Sequence, residues 1–315
     1  MKEIIENKKI LNSKNQLFLY GFKVYFNFFS NLLESGKLPN SIILSGPKGI
    51  GKSTFAYHII NFFLSKKESK SYSLKEFSIN ENNSSYQKLT SNVHPNFFLL
   101  ENKLSERDIK IDQTRDLLKF LAKTNYGSNF KIVLIDNAEL LNINSSNSLL
   151  KAIEEPHNNT FFIIIHDSSS KILSTIKSRC CEFKFFINFS EKREIFKKLL
   201  NQYNINFPLI DIEENLFFES PGNMIKHIFA FNSEGNFVLK DKLSVIDYLI
   251  KNYKKDNQNY TISSLTFYIQ LFYKNLILNN QINLNNLTYN YNKILKTLHN
   301  FKKFNLDEKN VFFTI

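Results

Sequence analysis

Residues 46–53 read GPKGIGKS and meet the spacing G-x-x-x-x-G-K-[ST] at every fixed position: Gly46, Gly51, Lys52 and Ser53. Glycines at those points let a backbone close round phosphate oxygens, and the start of a following helix favours the negative charge. In this arrangement Lys52 reaches the outer phosphates of a nucleoside triphosphate and Ser53 offers a hydroxyl to Mg²⁺. The candidate binding loop is therefore Gly46, Pro47, Lys48, Gly49, Ile50, Gly51, Lys52, Ser53 and Thr54. A second group able to act on Mg²⁺ is Asp136, which follows the apolar run KIVLI. Ser53 and Asp136 are thus the candidate metal-binding pair. The residue after Asp136 is Asn137, an amide that cannot serve as a general base near neutral pH; Glu139 lies two positions further on.

The run FFIII leads into His166 and Asp167. A polar group at that point can sense a terminal phosphate, although an acid suits the task poorly because two anions repel. Both residues also read as ordinary strand-end groups. Ser178-Arg179-Cys180 follows a short helical stretch. On spacing alone Arg179 is a surface arginine.

These residues need a scaffold. SIIL before the loop reads as a strand and TFAYHIINFFLS after it as a helix, giving strand, loop, helix. NFFLL (96–100), KIVLI (131–135) and FFIII (161–165) are further strands, each a short continuous apolar run. Helices are expected over 15–35, 111–124 and 144–155, the last ended by Pro156. Residues 65–92 are polar and read as a loop or insertion. Apolar strands alternating with helices predict an α/β fold with a parallel sheet covered on both faces. Beyond about residue 190 the pattern turns helical over 190–231 and 243–300, with 232–240 as the candidate linker.

The chain has 315 residues, which suggests roughly two to three domains. Its hydrophobic content of 43% is enough for a sizeable core. No apolar run approaches the roughly 18 residues that span a bilayer, and the first residues, MKEIIENKKI, lack the apolar core of a signal peptide. A cytoplasmic location with no membrane partner is expected. The net charge of +12 favours polyanions such as nucleic acid, but the abundance of Lys, Asn, Ile and Phe also fits a plain compositional bias. The two cysteines, Cys180 and Cys181, are adjacent, which excludes a disulfide framework or a cysteine zinc site within the chain.

Taken together, these motifs resemble the AAA+ clamp-loader family, and among its members the bacterial delta-prime subunits. The resemblance is carried by SGKLPNSIILSGPKGIGKST, by HPNFFLL followed by KIDQTRDLLKFL, and by the run from IDNAELL through LLKAIEEP to SRC. It is good over residues 15–185. SPGNMIKH (220–227) looks like the family's lid motif. The resemblance implies an AAA+ P-loop domain over 1–168, a small helical lid over 169–235 and, by length alone, a helical collar over 236–315.

It also implies a hetero-pentamer of clamp-loader subunits that uses ATP to open a ring-shaped sliding clamp and close it on primed DNA. Within it, Arg179 would be an arginine finger acting on ATP held by an adjacent subunit. The nucleotide would be ATP or ADP with Mg²⁺, held by the loop, Asp136 and Asp167. Where family members carry a catalytic Glu this chain has Asn137, Asp167 stands where Asn, Ser or Thr is usual, and the lid arginine is replaced near Asn223. Some members carry a four-cysteine zinc module, but residues 65–95 contain no cysteine. The expected subunit holds nucleotide and hydrolyses it slowly or not at all. Two other readings are a working ATPase of the same machine and a nucleoside monophosphate kinase.

Overall fold

The computed structural model describes residues 12–102, 108–123, 130–157, 159–205, 219–232, 246–247, 249–250, 259–278 and 284–304. They form two compact units. The first comprises Met1–Phe207 with Ser220–Asn223, and the second Pro208–Glu219 with Met224–Ile315. The expected linker at 232–240 lies almost wholly outside the described residues.

A five-stranded parallel sheet organises the first unit. Its strands are β1 (Ser41–Gly46), β2 (Phe97–Leu100), β3 (Lys131–Ile135), β4 (Thr160–Asp167) and β5 (Cys181–Lys184), in spatial order β2-β3-β4-β1-β5. The α/β class and parallel sheet expected from the apolar runs are both present. The fifth strand was not expected and lies beyond residue 168. CEFK offers no apolar run, because an edge strand of four partly exposed residues needs none.

Strand geometry turns successive side chains to opposite faces. Ile42, Leu44, Ile132, Leu134, Ile163 and Ile165 join one core, while Ile43, Val133, Ile135, Phe162 and Ile164 join the other. Both faces are therefore apolar, which is why these strands read as unbroken hydrophobic runs. The first core is closed by α1 (Lys23–Glu34) and α2 (Lys52–Ser65), through Phe26, Phe29, Phe55, Ile59 and Phe63. The second is closed by α4 (Ile111–Ala122), α5 (Ile143–Glu154) and the short α6 (Ser174–Lys177), through Leu117, Leu149, Ile153 and Ile176. Between α2 and β2 runs the 65–92 segment, which carries one short helix, α3 (Ser84–Thr90).

Helix α1 starts later than its apolar spacing suggested. The chain turns at Phe22, which takes a left-handed conformation (φ 61°) and packs edge-on against Phe185. Residues before it are held instead by His58. This side chain is 0% exposed in the middle of α2, with Nε2 3.1 Å from the Gln16 carbonyl and Nδ1 2.9 Å from the Tyr72 hydroxyl. A carbonyl only accepts, so Nε2 carries the proton and Nδ1 accepts from Tyr72. One imidazole thus ties the N-terminal segment and the 65–92 insertion to α2. Lys131 does a similar job at the start of β3. Its buried ammonium donates to the Phe120 carbonyl at 3.1 Å and the Leu121 carbonyl at 3.3 Å, and also to that of Lys123, satisfying the C-terminal end of α4.

After β5, α7 (Phe189–Gln202) opens with a capping box in which Asn188 and Glu191 satisfy each other's backbone N–H. Next comes α8 (Pro221–Asn232), whose first residues belong to the first unit. In the second unit, α9 (Asn259–Leu278) and α10 (Leu284–Phe304) pack together, with Tyr273 and Tyr291 rings 5.4 Å apart. His227 stacks on Phe267 at 5.0 Å. Among the described residues no helix is long and apolar enough to cross a membrane.

Burial pushes His58 down to about 3, and His94, through burial and the nearby Lys88, down to about 4. Both stay neutral when the unfolded chain, at about 6.5, takes up protons. Their contribution to stability is therefore complete above that pH and is lost as pH falls below it. We expect unfolding free energy, measured in urea, to decline from about pH 6.5 to 5, with His58 alone contributing up to about 1.4 kcal/mol per pH unit. His58→Gln should lower stability at pH 7 and flatten that slope; an unchanged slope would overturn the assignment.

Candidate nucleotide-binding site

The loop of residues 46–53 leaves β1 between its neighbours β4 and β5, at the carboxyl edge of the sheet. In open parallel sheets this edge is where ligands bind. Two glycines take conformations that L side chains rarely adopt, Gly49 at φ 79° and Gly51 at φ 104°. Gly51 is also the N-cap of α2 and offers no side chain, so no side chain caps the helix start. The first-turn N–H groups remain a ready site for an anion. Pro47 and Lys48 are exposed at the bend, Ile50 is buried, and Thr54 is half-buried in the first turn.

Lys52 is only 5% exposed. Its ammonium folds back to donate to the carbonyls of Gly46 at 2.6 Å and Pro47 at 2.7 Å. Burial lowers its proton affinity, and the carboxylates of Asp167, Glu139 and Asp136 work against that. Ser53 Oγ lies 3.3 and 3.4 Å from the two carboxylate oxygens of Asp136. A hydroxyl beside a carboxylate is the hard-oxygen donor set that suits Mg²⁺. The residues present therefore fit a Mg²⁺-nucleotide: an uncapped helix start, a lysine and an oxygen pair converge on one loop.

Asp136 directly follows β3, and one of its oxygens accepts the Asn137 N–H at 2.9 Å. Asn137 itself is left-handed, with φ 57° and ψ 58°. The tight turn after it returns Glu139 toward β4, where Glu139 Oε2 accepts the Asp167 N–H at 3.2 Å. Asp167 pairs with Gly46 in the register of β4 and β1. Its own carboxylate accepts the Ser169 N–H at 3.1 Å and so shapes the next turn. The preceding His166 is buried inside β4, with Nε2 3.1 Å from the Ser170 carbonyl and Nδ1 3.4 Å from Ser45 Oγ. Asp136, Asp167, Lys52 and Ser53 are thus brought together.

Arg179 is not. It lies just before β5, whose first residue Cys181 pairs with Ile42 near the start of β1. Arg179 therefore stands at the amino edge of the sheet, opposite the loop. There Nε donates to Glu154 at 2.7 Å and Nη1 to the Thr175 carbonyl at 3.0 Å.

Two contacts could not be read from the sequence. Glu139 joins the site through a turn that only the left-handed Asn137 permits. The other is the approach of SPGN to the loop: Gly222 N–H donates to the Gly49 carbonyl at 3.1 Å. A Cβ on Gly222 would lie 2.6 Å from that carbonyl oxygen, and one on Gly49 would lie 2.2 Å from Ser220 Oγ and 2.5 Å from Asn223 Oδ1. The signal was present as a glycine in a Ser-Pro-Gly turn, but nothing in the chain names its partner.

Against this geometry the comparisons decide the family. The profile described as "DNA polymerase III, delta subunit" matches residues 23–188, just over half of the chain and all of the loop, Asp136, Asp167 and Arg179. The chain belongs to this family. The DNA polymerase III subunit delta' of Pseudomonas aeruginosa is 36% identical over 143 residues, which is 45% of this chain and 42% of that protein. The DNA polymerase III subunit gamma of Buchnera aphidicola subsp. Schizaphis graminum is 27% identical over 236 residues, 72% of this chain and 62% of that protein. The matches thus span about two fifths to just over three fifths of those relatives' length. A solved gamma subunit-related protein from Thermotoga maritima aligns over 90% of this chain and 96% of its own, at 14% identity and a TM-score of 0.42.

For this family member the glycine contact is testable. Gly222→Ala should displace the SPGN turn from Gly49, lower stability by about 1–3 kcal/mol and speed amide exchange in residues 48–51. Unchanged melting and exchange would show that the turn does not rest on the loop.

Proposed function

We propose that this chain is a delta-prime-like subunit of the replicative DNA polymerase clamp loader, which helps place the sliding clamp on primed DNA. The observation that carries the reading is the separation of the loop and Arg179 on opposite edges of one sheet. An arginine on the far edge cannot serve this chain's own loop, but it is available to a nucleotide held by an adjacent subunit. There its guanidinium would stabilise the charge that develops on the transferring phosphate.

The chain's own loop would hold ATP or ADP with Mg²⁺. The backbone of Gly46, Pro47, Lys48, Gly49, Ile50 and Gly51 and the first turn of α2 would cradle the phosphates, with Thr54 beside Ser53. Lys52 would exchange the Gly46 and Pro47 carbonyls for phosphate oxygens. Ser53 and Asp136 would hold the metal. Bound ATP supplies the phosphoanhydride whose cleavage drives such machines. Asn137 cannot take the proton from an attacking water, and Glu139 already accepts the Asp167 N–H. Asp167 would add an anion to the site, which would not favour a transition state that gathers negative charge on phosphate. This supports a subunit that binds nucleotide statically. Its partners would be the other subunits of a hetero-pentamer, the clamp and DNA, without zinc and in the cytoplasm. The positive balance of the chain suits phosphate contacts.

A second reading, a gamma-like motor subunit, draws on the intact loop and on the likeness to a gamma subunit over 72% of this chain. Turnover separates the two. The isolated chain is expected to bind Mg²⁺-nucleotide in a calorimeter, to lose that binding in Lys52→Ala, and to hydrolyse ATP far below the rate of a working loader. A rate equal to it would favour the motor reading.

In the assembled loader, Arg179→Ala should cut ATP turnover by about tenfold or more, since arginine fingers contribute about 10³–10⁵ at the site they serve. Unchanged turnover would refute the finger.

A further inference from the structure

The pair formed by Arg179 and Glu154 breaks a local rule. Glu154 is the last residue of α5, where the helix dipole is negative and a carboxylate is disfavoured. Arg179 offsets that charge at 2.7 Å. Stability does not explain the pair, because its side chains are 31% and 55% exposed and such exposed pairs contribute little. What the pair does is fix a guanidinium. Nε is held by Glu154 and Nη1 by the Thr175 carbonyl, with Ser178 Oγ at 3.5 Å. Among the described residues, the two N–H bonds of Nη2 have no partner. A long side chain that would otherwise sample many rotamers is thereby biased toward one orientation with a free donor pair.

We propose that Glu154 is a positioning residue that orients Arg179 toward the phosphates of a nucleotide bound by a neighbouring subunit. This rests on the arginine-finger reading above. Holding the fork in place before the phosphate arrives removes rotamer entropy from the docking step, and a small misplacement of a catalytic group costs much of its effect. The carboxylate also draws positive charge away from the ligand. Losing it therefore impairs orientation without weakening attraction for phosphate, and the defect falls on kcat rather than KM.

The test uses the assembled loader with its clamp and primed DNA, with ATP turnover as the readout. Glu154→Ala should lower kcat by about tenfold while KM for ATP stays within about twofold. Glu154→Gln, which keeps an acceptor oxygen, should recover at least half of the loss. The double variant with Arg179→Ala should be no slower than Arg179→Ala alone. Melting curves and gel filtration of each variant establish that it folds and assembles.

Wild-type turnover in Glu154→Ala beside an impaired Arg179→Ala would overturn the positioning role alone. So would losses that multiply in the double variant. Wild-type turnover in Arg179→Ala would overturn the finger reading on which the role depends.

Discussion

A parallel sheet buried on both faces has nowhere to keep polar chemistry except its two edges, and everything else in the first unit follows from that constraint. Ile42, Leu44 and Ile163 face one core and Ile43, Phe162 and Ile164 the other. Each strand has polar freedom only where it ends. The carboxyl edge gathers the loop, Asp136 and Asp167, because in-register pairing sets Gly46 against Asp167. The amino edge receives Arg179 on the way into β5. The same strands that bury the core therefore separate the two polar sites, one at each end of the sheet.

Carboxylates outnumber ammonium groups around the loop at the carboxyl edge. Asp136, Glu139 and Asp167 surround a single buried ammonium, which has already found two carbonyl partners in its own loop. Three carboxylates against Lys52 and the exposed Lys48 make an unfavourable setting for a bare polyphosphate. A divalent cation held by Asp136 would offset part of that negative charge. On the proposed reading, nucleotide would enter this site together with its metal.

Much of this was legible in the sequence, and the limits were physical. The strands KIVLI and FFIII announced themselves because burial on both faces demands unbroken apolar runs. The loop was legible because its glycines, lysine and serine have few other reasons to share that spacing. β5 was not, since an edge strand half in solvent leaves no pattern. The start of α1 was misjudged because NQLFLYG carries helix-like apolar spacing, while its backbone is claimed by His58 and by the turn at Phe22. Glu139 and the SPGN turn depend on contacts between segments 28 or more residues apart, which a single sequence does not encode visibly.

Asn137 joins two of these constraints. Its left-handed backbone lets Asp136 accept the Asn137 N–H and lets the chain turn back to bring Glu139 to β4. Asparagine tolerates that conformation better than glutamate, whose longer side chain gains no local hydrogen bond there and carries a cost of roughly 1 kcal/mol or more. The residue that withholds a general base is therefore also one that fits this turn. On the proposed reading, a subunit that need not turn over ATP would leave this position free to take the less strained residue, and an intact binding loop beside an incapable base would be the outcome. On that reading, the chemistry left to the chain would lie at the other edge of the sheet, where, among the described residues, the two Nη2 N–H bonds of Arg179 have no partner.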